Sequence, residues 1–223
     1  GRRSRRHAGG ESGTDVAVAP PGRSEVQSEG KARAAVPGSP ACWTTEFLAR
    51  LEWKRLETLA TAFLAALGFV ARETRVGADG GVDVTLYRAG SEKPVGVCQC
   101  KAWRSRNVGV KPVRELYGVM AAEQVEHGVF MASGEYTEEA RSFAAGKKLD
   151  LISGSDLVRF ILSLPADKQA SLAAVAFAGD FETPTCPHCD IKMVARTAKK
   201  GSNAGSQFWG CPNYPRCKQT FAV

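Results

Sequence analysis

Nowhere in the 223 residues is there an apolar run approaching the ~20 residues of a membrane-spanning helix. The longest candidate, Phe63 to Val70, is far too short, so no membrane segment is expected in the chain. There is no secretory pattern either, because the N-terminus is rich in Arg and has no apolar segment behind it. The chain starts with Gly rather than Met, which leaves room for upstream sequence, including an anchor or another domain. Histidine is scarce, and His7 and His127 lack any partner pattern. No internal repeat is visible. Seven cysteines are too irregularly spaced for a disulfide scaffold, but four have metal-ligand spacing. A reducing, cytoplasmic location is expected.

Hydrophobic periodicity is also missing from residues 1–41, which are dominated by Gly, Ser, Ala, Arg and Pro. Such a tail buries too little apolar surface to offset its ordering entropy, and disorder is expected there. Charge is uneven. Residues 1–40 hold seven Lys/Arg against four Asp/Glu, residues 41–183 seventeen against eighteen, and residues 184–223 six against one. The net +7 therefore sits at the two ends. That distribution suits a polyanion held by the ends, with DNA as the expected partner, although a solubilising surface gives the same count.

From Thr44 to Leu67, Leu48, Leu51, Leu56, Leu59, Phe63 and Leu67 recur at steps of three to five, which predicts one amphipathic helix. Strands are expected at Phe69–Arg75, Val82–Tyr87 and Pro94–Lys101, with a turn over 77–81 joining the first two. A helix over Lys111–Val125 carries Pro112 in its first turn. Then follow a strand at Val129–Ala132, a helix over 138–146 capped by Thr137, a strand at Leu149–Ile152, and a helix starting at Ser155 and stopping before Pro165. The order implies a mixed α/β sheet flanked by helices, its first three strands an antiparallel meander. The division is a basic tail over 1–41, a main domain over 42–165, an Ala-rich helical spacer over 166–183 and a small module over 184–223.

Chemistry concentrates in Gly80-Gly81-Val82-Asp83-Val84 and Val97-Cys98-Gln99-Cys100-Lys101. Alternation along a strand puts Gln99 and Lys101 on one face and Cys98 and Cys100 on the other. Asp83 begins the preceding strand. A carboxylate, an amide carbonyl and an ammonium can thus converge at one end of a hairpin, as metal-assisted phosphodiester hydrolysis requires: oxygen ligands for Mg²⁺ or Mn²⁺ and a lysine beside the attacking water. The ordinary reading of the same residues is a turn aspartate and an edge-strand lysine. Trp103, Arg104 and Arg106 follow in a polar loop, as DNA-backbone contacts or as a solvated surface.

Residues 46–163 resemble the Mrr-type restriction endonuclease domain of the PD-(D/E)xK nuclease superfamily. The resemblance runs through Leu56-Glu57, Leu67-Gly68-Phe69, Asp79-Gly80-Gly81-Val82-Asp83, Gln99-Cys100-Lys101, Val108-Gly109-Val110, Gly128-Val129-Phe130-Met131-Ala132-Ser133 and Leu149-Asp150-Leu151-Ile152. It implies a restriction-endonuclease-like fold and a metal-dependent DNA endonuclease. Asp83 and Gln99 would be metal ligands and Lys101 the catalytic lysine, with Gln99 standing where the wider superfamily has a carboxylate. Glu57 matches the family's helix glutamate. It serves either as the second carboxylate or in a helix-flank ion pair, for example with Arg75. Cleaving both strands would call for a homodimer or two copies. A catalytically inactive DNA-binding protein and a repair nuclease for branched DNA are the rival readings.

In the last module Cys186-Pro187-His188-Cys189 is followed by Cys211 and Cys217, four thiolates fit for one structural Zn²⁺, with His188 a bystander. A segment of this size needs such a clip to fold. Residues 184–221 resemble the four-cysteine zinc finger at the C-terminus of bacterial type I topoisomerases, which implies DNA binding. Arg196, Lys199, Lys200, Arg216 and Lys218 would meet phosphates and Phe208, Trp209 and Tyr214 would stack on bases. Packing around the zinc turns competes for the aromatics, and at least one of Trp209 and Tyr214 is expected to do that.

Overall fold

In the computed structural model, residues 42–74, 81–102 and 107–222 are described. The N-terminal tail, Arg75, Asp79, Trp103, Arg104 and Arg106 lie outside them, and so does nearly all of the turn before Asp83. The stripe expected to form one helix forms two, α1 (Thr45–Arg50) and α2 (Trp53–Ala66). Leu51 and Glu52 between them are extended (ψ 131° and 158°). Thr44 caps α1 by accepting the Phe47 N–H. Glu52 caps α2 with its carboxylate, and its own N–H donates to Phe181 O at 2.9 Å. The one step of five in the apolar spacing, Leu51 to Leu56, marks this break.

Strands β1 (Val70–Glu73), β2 (Val84–Tyr87), β3 (Pro94–Lys101), β4 (His127–Ala132) and β5 (Leu149–Ile152) form one sheet in that order. The first three run antiparallel, and β3, β4 and β5 run parallel, so the sheet is mixed as expected. Helices α3 (Val110–Ala122) and α4 (Glu138–Ala144, capped by Thr137) link the parallel strands. Helix α5 (Gly154–Ser163) follows, capped by Ser153 rather than opened by Ser155: Ser153 and Asp156 satisfy each other's N–H groups.

Alternation along β3 divides two cores. Cys98 and Cys100 join Val84, Leu86, Leu56, Leu59 and Phe63 on the face covered by α2 and α5. Val97 joins Phe130, Val113 and Leu116 on the opposite face. Helix α6 (Ala166–Ala176), expected within a spacer, buries Leu172, Ala173 and Ala176 in the first of these cores. Phe177 just beyond it stacks on Phe47 with centroids 4.2 Å apart. Small alanine side chains permit this close approach to α2, so the stretch is a wall of the core. Among the described residues no helix is long and apolar enough to cross a membrane.

The C-terminal residues form a second sheet of β6 (Val194–Thr197), β7 (Gln207–Gly210) and β8 (Thr220–Ala222), all antiparallel.

Candidate active site and zinc centre

Lys101 ends β3, a central strand, and its carbonyl accepts the Ser133 N–H from the loop after β4. That loop is pinned by Tyr136, whose buried hydroxyl donates to Phe130 O at 2.6 Å. The end of β3 is therefore held from both neighbouring strands. Asp83 stands one residue before β2 and continues its ladder, its carbonyl accepting the Thr74 N–H at 3.0 Å. Its N–H donates to Cys98 O at 2.9 Å, and its carboxylate, in place of a backbone carbonyl, accepts the Cys100 N–H at 2.6 Å. This bond fastens the Asp83 carboxylate to the β3 backbone at Cys100, where the Lys101 charge also acts on it. Sequence reading missed the Cys100 amide, because a backbone donor leaves no mark in residue types.

Glu57, in the second turn of α2, lies beside Asp83, close enough for the two carboxyls to interact. Burial and the neighbouring Asp83 charge push its carboxyl up to about 8. Burial also raises Asp83, opposed by the Cys100 N–H and the Lys101 charge. Burial and the proximity of the two carboxyls favour a proton on this pair. Glu57 lies beside Asp83, and Arg75, the ion-pair partner weighed for it, lies outside the described residues.

Gln99 is 6% exposed. Its side-chain amide lies against Gly81, where a Cβ would stand 2.5 Å from Nε2. Gly81 also has φ +100°, a conformation that side chains resist. Gly81→Ala should therefore cost about 1–3 kcal/mol in denaturant unfolding and move the Gln99 amide. Unchanged stability would show that the backbone here relaxes freely.

A second expectation concerns Glu57. Its carboxyl sits near 8 in the folded chain against an ordinary 4.5. The folded state therefore binds more protons between those values, and its stability declines as pH rises through that window. Without added divalent cation, the melting temperature of wild type should fall from pH 5 to pH 9 relative to Glu57→Gln, with the variant the more stable at the alkaline end. Parallel curves for the two proteins would contradict the shared proton.

At the C-terminus, the sulfurs of Cys186, Cys189, Cys211 and Cys217 lie within 4.8 Å of one another, with Cys186 and Cys217 at 3.7 Å. A tetrahedron with metal–sulfur bonds of ~2.3 Å has edges of roughly 3.8 Å, so the four fit one zinc ion. Backbone N–H groups of His188 and Cys189 point at the Cys186 sulfur, and those of Asn213 and Gln219 at Cys211 and Cys217. His188 contributes through its backbone. Such N–H···S bonds stabilise thiolates.

The Mrr_cat family, a restriction endonuclease family, matches residues 48–161, just over half of the chain. The chain belongs to the Mrr restriction endonuclease family. A topoisomerase DNA-binding C4 zinc finger matches residues 183–222. Among curated proteins, the type IV methyl-directed restriction enzyme EcoKMrr of Escherichia coli (strain K12) is 30% identical over 125 residues, covering 52% of this chain and 40% of that protein. Among solved structures, the DNA modification-dependent restriction endonuclease AspBHI is 22% identical, with a TM-score of 0.45 over 72% of this chain and 45% of that one. MspJI restriction endonuclease in complex with a 27-mer oligonucleotide is 21% identical, with a TM-score of 0.43 over 74% and 42%. The chain spans less than half the length of each of these three proteins.

In this Mrr-family chain the zinc-finger residues divide between two faces. Arg196 pairs with Phe208 across β6 and β7, and both border one cleft with Tyr214 and Lys218. Gly210 allows this, since a Cβ there would stand 2.8 Å from the Arg196 side chain. Tyr214 is 63% exposed, and Lys199, Lys200 and Arg216 are also exposed. Trp209 pairs instead with Phe221, and both pack against the cysteine cluster. Trp209 is thus the aromatic that packs around the zinc turns, and the open face belongs to Phe208 and Tyr214.

Sequence reading also missed Glu52. It is 5% exposed, and its carboxylate accepts the Thr185 N–H (3.1 Å), the Thr185 hydroxyl (3.0 Å), the Lys54 N–H (3.2 Å) and the Lys192 ammonium (3.2 Å). Trp53 Nε1 donates to Thr185 O at 2.8 Å, and Lys54 pairs with Asp190. The start of α2 is thereby fastened to the start of the zinc finger. The off-period Leu51–Leu56 step was the available signal.

Proposed function

We propose that the chain is a divalent-cation-dependent DNA endonuclease of restriction type, with a zinc finger that holds DNA. The meeting of Glu57, Asp83 and Lys101 at the end of β3 carries this reading. A turn aspartate and an edge lysine would not bring a half-buried helix glutamate to the same point. The donors are hard oxygens, from Asp83, Glu57 and the Gln99 amide, which suits Mg²⁺ or Mn²⁺. Such a cation, when bound, would polarise the phosphodiester and make water a better nucleophile. Lys101 would orient the attacking water and offset charge building on the phosphoryl oxygens. Asp83, held by the Cys100 N–H, would present a fixed oxygen, and Glu57 would give up its proton as the cation enters. Open-face residues Arg196, Lys199, Lys200 and Lys218 would neutralise phosphates, and Phe208 and Tyr214 would stack on bases.

EcoKMrr is described as methyl-directed, so methylated DNA is the first substrate to test. Methylated and unmethylated plasmids should be incubated with the protein and Mg²⁺ or Mn²⁺. Nicking or linearisation is expected with the cation and not without it. An intact plasmid under every condition would leave a DNA-binding protein on a nuclease fold. Nicked circles alone would mark one cut per encounter, and a linear product would mark action by two copies.

A further inference from the structure

A cavity of about 580 Å³ lies in the seam between the two sheets, and neither the cation site nor the open DNA-facing side of the zinc finger uses it. Its walls include Trp53 from α2, Trp209 and Phe221 from the zinc finger, and Ala102, with Arg50 and Glu182 also bordering it. The volume lies inside the ~300–1,000 Å³ of small-molecule sites. The seam is held shut behind it by Glu52, whose oxygens are already engaged, so this carboxylate shapes the cavity and has little left for a ligand. Rings from both bodies line it. Arg50 and Glu182 border it as an ion pair, engaged with each other. A flat aromatic group matches such a lining.

The place of the cavity selects among such groups. Ala102 directly follows Lys101, so a wall of the cavity stands one Cα step, about 3.8 Å, from the end of the strand that carries the proposed catalytic lysine. Resting on the nuclease reading above, we infer that this seam receives an unpaired nucleobase of the DNA strand being cut, stacked among Trp209, Phe221 and Trp53. Stacking on aromatic side chains tolerates any base, so the seam would favour DNA with an unpaired base without reading its sequence.

The test is binding, measured by fluorescence anisotropy without divalent cation, of a paired duplex and of the same duplex with one unpaired base. Wild type should prefer the second by about tenfold, as one stacked base implies. Phe221→Leu keeps bulk but loses the ring, and Trp209→Ala removes an indole. Both should abolish the preference while retaining one zinc per chain. Lys200→Ala, which removes a proposed phosphate contact, should weaken both duplexes alike and keep the preference. Equal binding of the two duplexes by wild type would overturn the inference and leave the nuclease reading intact. So would a preference that survives in zinc-loaded Phe221→Leu. Failure of wild type to bind either duplex would overturn both readings.

Discussion

Lys101→Ala should lower DNA cleavage by about a thousandfold while leaving DNA binding within a fewfold of wild type. The magnitude follows from what one ammonium supplies in a half-buried site. Proton transfer by a positioned group contributes about 10²–10⁴, and one preorganised charge or donor facing developing negative charge contributes about 10²–10³. Binding is expected to survive because the cations proposed to meet phosphates lie on the zinc finger. Lys101→Arg separates the two terms: it keeps the charge but cannot act as a base, so partial recovery would assign the effect to electrostatics. Asp83→Ala should cost at least as much, since it removes a cation ligand and leaves the Cys100 N–H without its acceptor. Single-turnover cleavage by purified wild type and the two alanine variants checks this. Equal rates in all three would mean that the activity comes from elsewhere.

Removing zinc should unfold the C-terminal sheet. Its buried core is Cys186, Met193 and Cys211, and its strands have four, four and three residues. So few apolar groups cannot offset the ordering of about 40 residues, whereas zinc on four thiolates contributes roughly 10 kcal/mol or more. Metal analysis should find about one zinc per chain. Chelation, or Cys211→Ser, should open the segment after Thr183 to protease while the five-stranded part stays resistant. A chelated finger that still resists digestion would show that the cysteines are not its main support. Freed Thr185 would also leave Glu52 half-satisfied at 5% exposure, so the cap of α2 should loosen in hydrogen exchange.

Residue types that carry chemistry were legible. Asp83, Gln99 and Lys101 stand out from alternation and their glycine turn, and β3 occurs over the expected Pro94–Lys101. Four cysteines at metal spacing announce their own cluster. Less legible were features made by tertiary contact. Nothing in the spacing of Glu57 says that its carboxyl meets Asp83; that depends on how α2 packs over the start of β2. The alanine-rich 166–183 stretch looks patternless because α6 packs through small side chains, whose burial leaves a weak periodic signal. Trp209 and Phe208 are adjacent, and only strand alternation around the cysteines decides which one faces solvent. Glu52 breaks a helix that local periodicity would continue, because four partners distant in space or at the cap outweigh propensity.

The Glu52 junction has a geometric consequence. A finger on a slack linker would sample many distances, and grip and cut would be related only by effective concentration. Glu52, Trp53 and Lys54 instead bind Thr185, Lys192 and Asp190 directly, at the cap and first turn of the helix that carries Glu57. The finger is then a ruler rather than a leash. On the proposed reading, the offset between a gripped nucleotide and the cleaved bond is a constant of the fold, and products should share one fixed spacing from the gripped site.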